Sequence, residues 1–360
     1  MTAASMGGGL KNLGSIALLA GEISGNSASA TSTGSAYAEA YGGGLQAVGN
    51  IAALSGTISG NTASAQSSAS RARVFGGGVA VSNIASLSGE ISGNTAEATA
   101  TGGAEAIALG GGAMISNPDV SISKGVYTGN QAIATGANAR AQGGALFLAI
   151  VTPYTPASLN LDPTAGAIAF SGNSVTANGA TQANAIHFGR SSLADNASAN
   201  ASLIIQDSLS TGNIVTIADG ITTDLNNGKT FTLSQTGGNF LWAGPNVFDS
   251  EGGDVVSLAG GQMRLANGFT LDRGTVNGGT GLLTFNVTGG HLKSEGAATS
   301  LRNTALSIDS GGKLTVGLGS TLTLDANSTF ALNSGTLSFG VNSGNASGKI
   351  VSLNTTTAPT

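Results

Sequence analysis

Ionisable side chains are scarce in this 360-residue chain, so each one that could do chemistry can be weighed singly. Two sets of carboxylates are the candidates: Asp195, Asp207, Asp219 and Asp224, and the tighter trio Asp249, Glu251 and Asp254. Cleaving a polysaccharide needs two or three carboxylates on one face, because one gives a proton while another accepts one or attacks. Only the trio is compact enough for that. Against it stands a plainer reading: turns in β proteins favour aspartate, and exposed carboxylates keep a protein soluble. Glu22 and Glu90 share a repeat position, but Thr57 and Val126 fill it in other copies, so no catalytic ladder forms. His187 and His291 are far apart and have no acid beside them. Trp242, next to Phe240 and Leu241, reads as a plug in the core, with an exposed carbohydrate platform as the alternative.

Other chemistries find no footing. Cysteine is absent, which removes thiolate metal sites and fits export through an oxidising compartment. Gly278-Gly279-Thr280-Gly281 lacks the aspartate of calcium-binding glycine repeats, and no glycine triplet precedes Lys-Ser or Lys-Thr as phosphate binding requires. The sequence therefore assigns no catalytic, cofactor-binding or metal residue and implies no cofactor. Net charge is −5, and the only close basic pair is Arg71 and Arg73, which argues against nucleic acid as a partner. No apolar run approaches the ~20 residues of a spanning helix. Met1 to Met6 lacks the basic and apolar regions of a secretory signal. The first glycine triplet starts at Gly7, so the chain is expected to begin inside a repeat array.

The elements that would position any site are written in repeats. Ile23-Ser24-Gly25-Asn26 returns as Ile58-Ser59-Gly60-Asn61, Ile91-Ser92-Gly93-Asn94, Tyr127-Thr128-Gly129-Asn130 and Phe170-Ser171-Gly172-Asn173. The asparagines are 35, 33, 36 and 43 residues apart. Glycine triplets at 7–9, 42–44, 76–78 and 110–112, and Gly143-Gly144-Ala145, keep the same beat. A period in the thirties marks one supersecondary unit stacked many times. After each asparagine, alanines alternate with polar residues, as in Ala96, Ala98 and Ala100 against Thr95, Glu97 and Thr99. That is the period of a strand buried on one face; a helix through Ala36 to Tyr41 is the alternative. Stacked coils would set Asn26, Asn61, Asn94, Asn130 and Asn173 over one another, each amide donating to the next carbonyl in a structural ladder.

About 34 residues is long for one three-sided coil, so a loop is expected to bulge between the alanine strand and the glycines. A second loop is expected from Val151 to Thr164, where Pro153, Pro156 and Pro163 break the rhythm. The sequence divides softly into 1–190, about five regular copies, and 191–360, a divergent continuation. There, alternating segments such as Ile214–Ile217, Leu283–Phe285 and Leu322–Leu324 are separated by turn pairs such as Asn227-Gly228, Asn267-Gly268 and Asn277-Gly278. The sequons at Asn196 and Asn327 are expected by chance in so polar a chain.

The pairing of Gly-Gly-Ala-Leu at 143–146 with Phe-Ser-Gly-Asn at 170–173, echoed in four further pairs over residues 7–190, resembles the repeats of polymorphic outer membrane proteins, a group of type V autotransporters. Only Phe170 keeps the phenylalanine of that pattern, and Gly-Gly-Gly replaces Gly-Gly-Ala in most copies. Gly311 to Val341 is similar to the distal end of autotransporter passengers. The resemblance implies an all-β fold, a right-handed parallel β-helix displayed at the bacterial cell surface as a non-catalytic adhesin. Its partner would be a host-cell or extracellular ligand, protein or glycan, and its membrane attachment would come only from a barrel this chain does not contain. A carbohydrate-active enzyme using Asp249, Glu251 or Asp254 and a self-assembling surface protein are the alternatives.

Overall fold

A computed structural model describes residues 2–150, 156–190, 199–274, 281–340 and 349–352. The described secondary structure is all strand. Strands of successive coils pair in parallel along one axis, which makes the molecule a parallel β-helix.

Each early coil traces two lobes. The larger is a three-walled prism. Wall 1 follows the glycine triplet and wall 2 continues it; in Leu45–Leu54 and Val79–Leu87 one long strand serves both. Wall 3 is the strand that leads into each early coil's aromatic-or-aliphatic Ser/Thr-Gly-Asn motif, beginning with Glu22–Ser24, Thr57–Ser59 and Glu90–Ser92. Its eleven strands run on to Thr336–Phe339. One inward column of wall 3 holds Ile23, Ile58, Ile91, Tyr127, Phe170, Ile217, Trp242 and Leu265 in register. Trp242 thus stands where the repeats carry isoleucine. It is fully buried between Phe240, Phe248 and Phe269, and its Nε1 donates to Asn246 Oδ1 at 2.7 Å, so it is a core residue and no platform.

The smaller lobe is a sandwich of two plates. Plate 1 is the alanine strand after each asparagine: Ser27–Ser32, Thr62–Ser67, Thr95–Ala100, Gln131–Thr135 and Ser174–Ala177. Plate 2 is the return strand to the glycines: Thr2–Met6, Tyr37–Tyr41, Ala72–Phe75, Glu105–Leu109 and Asn138–Gln142. The residues beyond a three-sided coil therefore form a second sheet, where a loop was expected, and Tyr37–Tyr41 is strand, not helix. The reason lies in Ala63, Ala65, Ala96 and Ala98, which pack against Ala38, Ala40, Ala106 and Ala108 in a core of almost pure alanine. One-carbon side chains cannot fill the ~10 Å between ordinary packed sheets, so the plates must lie closer.

The lobes meet at a waist, which explains the glycines. The first of each triplet takes a φ between +54° and +73°, the left-handed region open to glycine. A Cβ on the second, Gly43, would strike the backbone oxygens of Gly77 in the next coil and Thr62 across the waist. A Cβ on the third, Gly44, would lie 2.8 Å from Asn61 Cγ. The triplet and the asparagine are two sides of one contact.

Proline did not break the ladder. Ala157–Leu161 is a wall-2 strand paired with Asp119–Ile122 above and Ala201–Ile205 below, within the span expected to loop. Pro156 and Pro163 flank the strand instead of interrupting it, and Ala157, Leu159 and Leu161 supply the inward face. Residues 151–155, including Pro153, lie outside the described residues, as do Asn277-Gly278 and the Asn196 sequon.

Pairing also crosses residue 190: Ile168–Phe170 stands on Val215–Ile217, and Ile186–Gly189 on Ile221–Asp224. One apolar core runs from Leu45 to Leu324. What changes there is the small lobe. After Ser174–Ala177 the chain turns at Asn178-Gly179, both at positive φ (48° and 81°), and Ala180–Ala183 returns antiparallel along the plate-1 edge. It then enters wall 1 directly at Ile186–Gly189. Among the described residues, later coils show the prism alone.

Candidate functional site

Loss of the small lobe leaves a step on the outside of the molecule. Above it, the concave angle between plate 2 and wall 1 is filled by Phe75, Ile107, Leu109, Met114 and Phe147. Below it, plate 2 has stopped at Asn138–Gln142, and the angle opens into a cleft of about 540 Å³. The roof is the last plate-2 strand, one side is the Asn178-Gly179 hairpin, and the floor is wall 1 from His187 to Asp249.

Charged side chains converge here. Arg140 is 9% exposed and reaches past the strand edge, its Nη2 donating to Asp224 Oδ2 at 2.6 Å and to the Arg190 carbonyl at 2.7 Å. Arg190 donates to Asp224 Oδ1 from both its backbone N–H and its Nε, each at 3.1 Å. Gly189 makes this possible: a Cβ there would collide with the His187 ring and lie 3.0 Å from Asp224 Oδ1. Burial pushes the Asp224 carboxyl up, but His187 and the positive charges of Arg140 and Arg190 outweigh it and hold the group below the usual carboxylate range.

His187 is buried, stacks on Phe147 with ring centroids 5.3 Å apart, and shares a 2.8 Å hydrogen bond between Nδ1 and Thr222 Oγ1. Burial, against the pull of Asp224 and with help from Arg140 and Arg190, pushes it down to about 3, so the ring is neutral at physiological pH. Thr222 Oγ1 also accepts from Asn184 Nδ2 at 2.7 Å. That hydroxyl keeps its own proton and a second lone pair for Nδ1, so Nε2 of His187 is a donor in one tautomer and an acceptor in the other.

Of the carboxylates singled out in the sequence, Asp224 and Asp249 come to this one cleft. Asp195 lies outside the described residues. Asp207 ties an exposed turn, accepting from Thr211 N–H at 2.8 Å and Gly212 N–H at 3.0 Å. Asp249 lines the cleft and is 6% exposed. Glu251 sits at an exposed turn and takes the Gly228 N–H at 2.8 Å. Asp254 shares the inward parity of Val256 and Leu258, is buried, and is pushed up to about 6, mainly by that burial. Within the trio the charge of Asp249 reaches Asp254 and helps to push it up, while Glu251 stands apart at its turn. His291 meets Thr315 Oγ1 at 2.8 Å on wall 3, remote from His187 in the ladder. Among the described residues no three His, Asp or Glu side chains group as metal ligands would.

The asparagines stand in one file at the waist. Asn26 Nδ2 donates to Asn61 Oδ1, Asn61 to Asn94, Asn94 to Asn130 and Asn130 to Asn173, each at 3.0 Å. From Asn61 onward the same Nδ2 also donates to the wall-3 carbonyl one coil back, Ile23, Ile58, Ile91 or Tyr127. The file ends on a carboxylate: Asp219 accepts Asn173 N–H and Nδ2 at 2.8 Å and Gly172 N–H at 2.9 Å. An acceptor-only group suits a place where only donors arrive. Every polar atom of Asn94 is thereby used in a buried position.

Arg140 and Arg190 were passed over in the sequence because neither has a charged neighbour along the chain. One signal was present: three residues before each glycine pair stand Glu39, Arg73, Ile107 and Arg140, the outward column of plate 2. Comparison with protein-family models, with curated proteins and with solved structures finds no match to this chain.

Proposed function

We propose that this chain is a non-catalytic adhesin of the autotransporter-passenger type, displayed outside the cell, which contacts host or neighbouring-cell surfaces with the outer faces of a stiff rod. The observation that carries this reading is the parallel ladder joining the described strands from Thr2–Met6 to Lys349–Ser352. A ladder buried on its inner side presents fixed outward positions at ~4.8 Å intervals, the geometry of an extended contact surface. Plate 1 offers Thr62, Ser64 and Gln66, then Thr95, Glu97 and Thr99, a flat field of small polar groups. The absence of cysteine suits an extracellular address. The ionised state of Asp224, which has no proton to give as a general acid, supports the non-catalytic part, as does the place of Glu251 at an exposed turn apart from the cleft.

The test is binding of the purified protein to mammalian cells, matrix proteins and bacterial cells. Glu97→Arg combined with Ser64→Arg changes the plate-1 field without touching its alanines and should cut binding about tenfold while the melting curve holds. Failure of the parent protein to bind all three surfaces overturns the reading. A self-assembling surface protein is the second reading, favoured by the apolar side chains Leu13, Leu18, Val48 and Val126, which are 72%, 61%, 52% and 45% exposed. Sedimentation at two concentrations decides it: a constant mass removes it.

A further inference from the structure

The cleft at the step holds more than structure needs. Covering the free edge of plate 2 would take one charged side chain leaning across it. Here two guanidiniums and two carboxylates, Arg140, Arg190, Asp224 and Asp249, meet with formal charges that cancel. Their arrangement leaves hydrogen-bonding capacity over. Arg140 Nε and Nη1, His187 Nε2 and Gln142 Oε1 are buried without a protein partner. Leaving such a group unpaired costs ~1–3 kcal/mol, and three residues bordering one cleft do so together. The open set is donors from Arg140, an acceptor from Gln142, and His187 Nε2, which takes either role by tautomer.

We infer that the cleft is a binding site for a neutral saccharide unit, a pyranose ring whose neighbouring hydroxyls meet Arg140, His187 and Gln142. A hydroxyl both donates and accepts, which a mixed donor and acceptor set matches and a simple anion does not. The cancelled charge gives an anion no net attraction. Val175 and Val247 line the cleft as apolar flanks for the C–H face of a ring. Its volume falls within the ~300–1,000 Å³ of small-molecule sites. The polar groups sit on ladder strands and a two-residue hairpin, so they are held in place before a ligand arrives. This inference goes beyond the adhesive reading and does not depend on it, since a sugar site can serve a rod of any purpose.

The experiment uses the whole chain and a panel of methyl pyranosides and N-acetylglucosamine disaccharide, with acetate and sulfate as anion controls, read by saturation-transfer NMR and calorimetry. At least one saccharide should bind saturably, with an affinity unchanged between about 20 and about 500 mM NaCl. Gln142→Leu should weaken it at least about tenfold. Val247→Trp, at a position 38% exposed, should close the mouth and abolish binding with the melting temperature kept. No saturable saccharide, competition by acetate or sulfate, or full affinity in Val247→Trp overturns the inference. Surface adhesion that persists when no saccharide binds removes the cleft site and leaves the rod reading standing; saccharide binding without adhesion does the reverse.

Discussion

Asn94 shows how much one side chain holds. It links three coils, accepting from Asn61 N–H and Nδ2 and donating to Asn130 Oδ1 and the Ile58 carbonyl. Asn94→Ala strands several buried groups at once, each worth ~1–3 kcal/mol, so a loss of about 3–5 kcal/mol in denaturant titration is expected. Asp254 gives the opposite lesson, an inward carboxylate that is a liability when charged. In the unfolded chain it titrates near the usual ~4, and in the fold burial pushes it up to about 6. Below pH ~4 it is neutral in both states and costs nothing. As pH rises from about 4 to about 6 the unfolded state ionises first, so stability falls by about 3 kcal/mol and then levels off. Asp254→Asn should lack this fall: its stability relative to the parent grows over that window and is flat above it. Parallel pH profiles that never diverge would contradict the burial argument. At this scale the asparagine file was legible from the sequence because its members recur at one position of a repeat. Asp219 was not, since it fills the same post with a different residue where the repeat fails.

At the scale of elements, the waist and the alanine lobe are the parts most easily broken. Gly43→Ala drives a methyl into the backbones of Gly77 and Thr62, which have no rotamer by which to yield. A loss of about 3 kcal/mol or more is expected, against a much smaller effect for Gly34→Ala in the open turn between the plates, where a Cβ meets nothing. Ala98→Leu tests the sandwich: Ala98 is fully buried in the second core, and a side chain three carbons longer must push the plates apart. Overpacking of this kind costs ~1–3 kcal/mol, so a lower melting temperature in Ala98→Leu is expected, while Thr99→Leu, on the outward side, should melt as the parent does. Alternation in the alanine strands revealed plate 1. Plate 2 was harder to see because alanine favours strand weakly, and Tyr37-Ala38-Glu39-Ala40-Tyr41 becomes strand only where plate 1 lies against it. Ala157–Leu161 was obscured by its flanking prolines, though its own alternation is regular.

For the whole molecule, a rod in which each coil touches only its neighbours should not protect all amides equally. The described middle coils have neighbours on both sides, while Leu10–Asn12 has a neighbour on one side among the described residues. Hydrogen exchange should therefore be slowest in strands such as Ile186–Gly189, Leu283–Val287 and Phe231–Gln235 and fastest in the first coil; uniform protection would mean that the array opens as one unit. By itself the sequence determined that the chain is a stack of parallel coils, where asparagine and glycine turn the corners, and that its alanine strands bury one face. Those facts follow from local conformation and period, which one coil's residues carry alone. Only the tertiary structure decided that the surplus residues make a second lobe, that this lobe ends at residue 183, and that Arg140 there meets Arg190 and Asp224, 50 and 84 residues further along. Contacts of that kind depend on how many residues each intervening coil consumes, and a change from two lobes to one resets that count without leaving a mark in any single repeat.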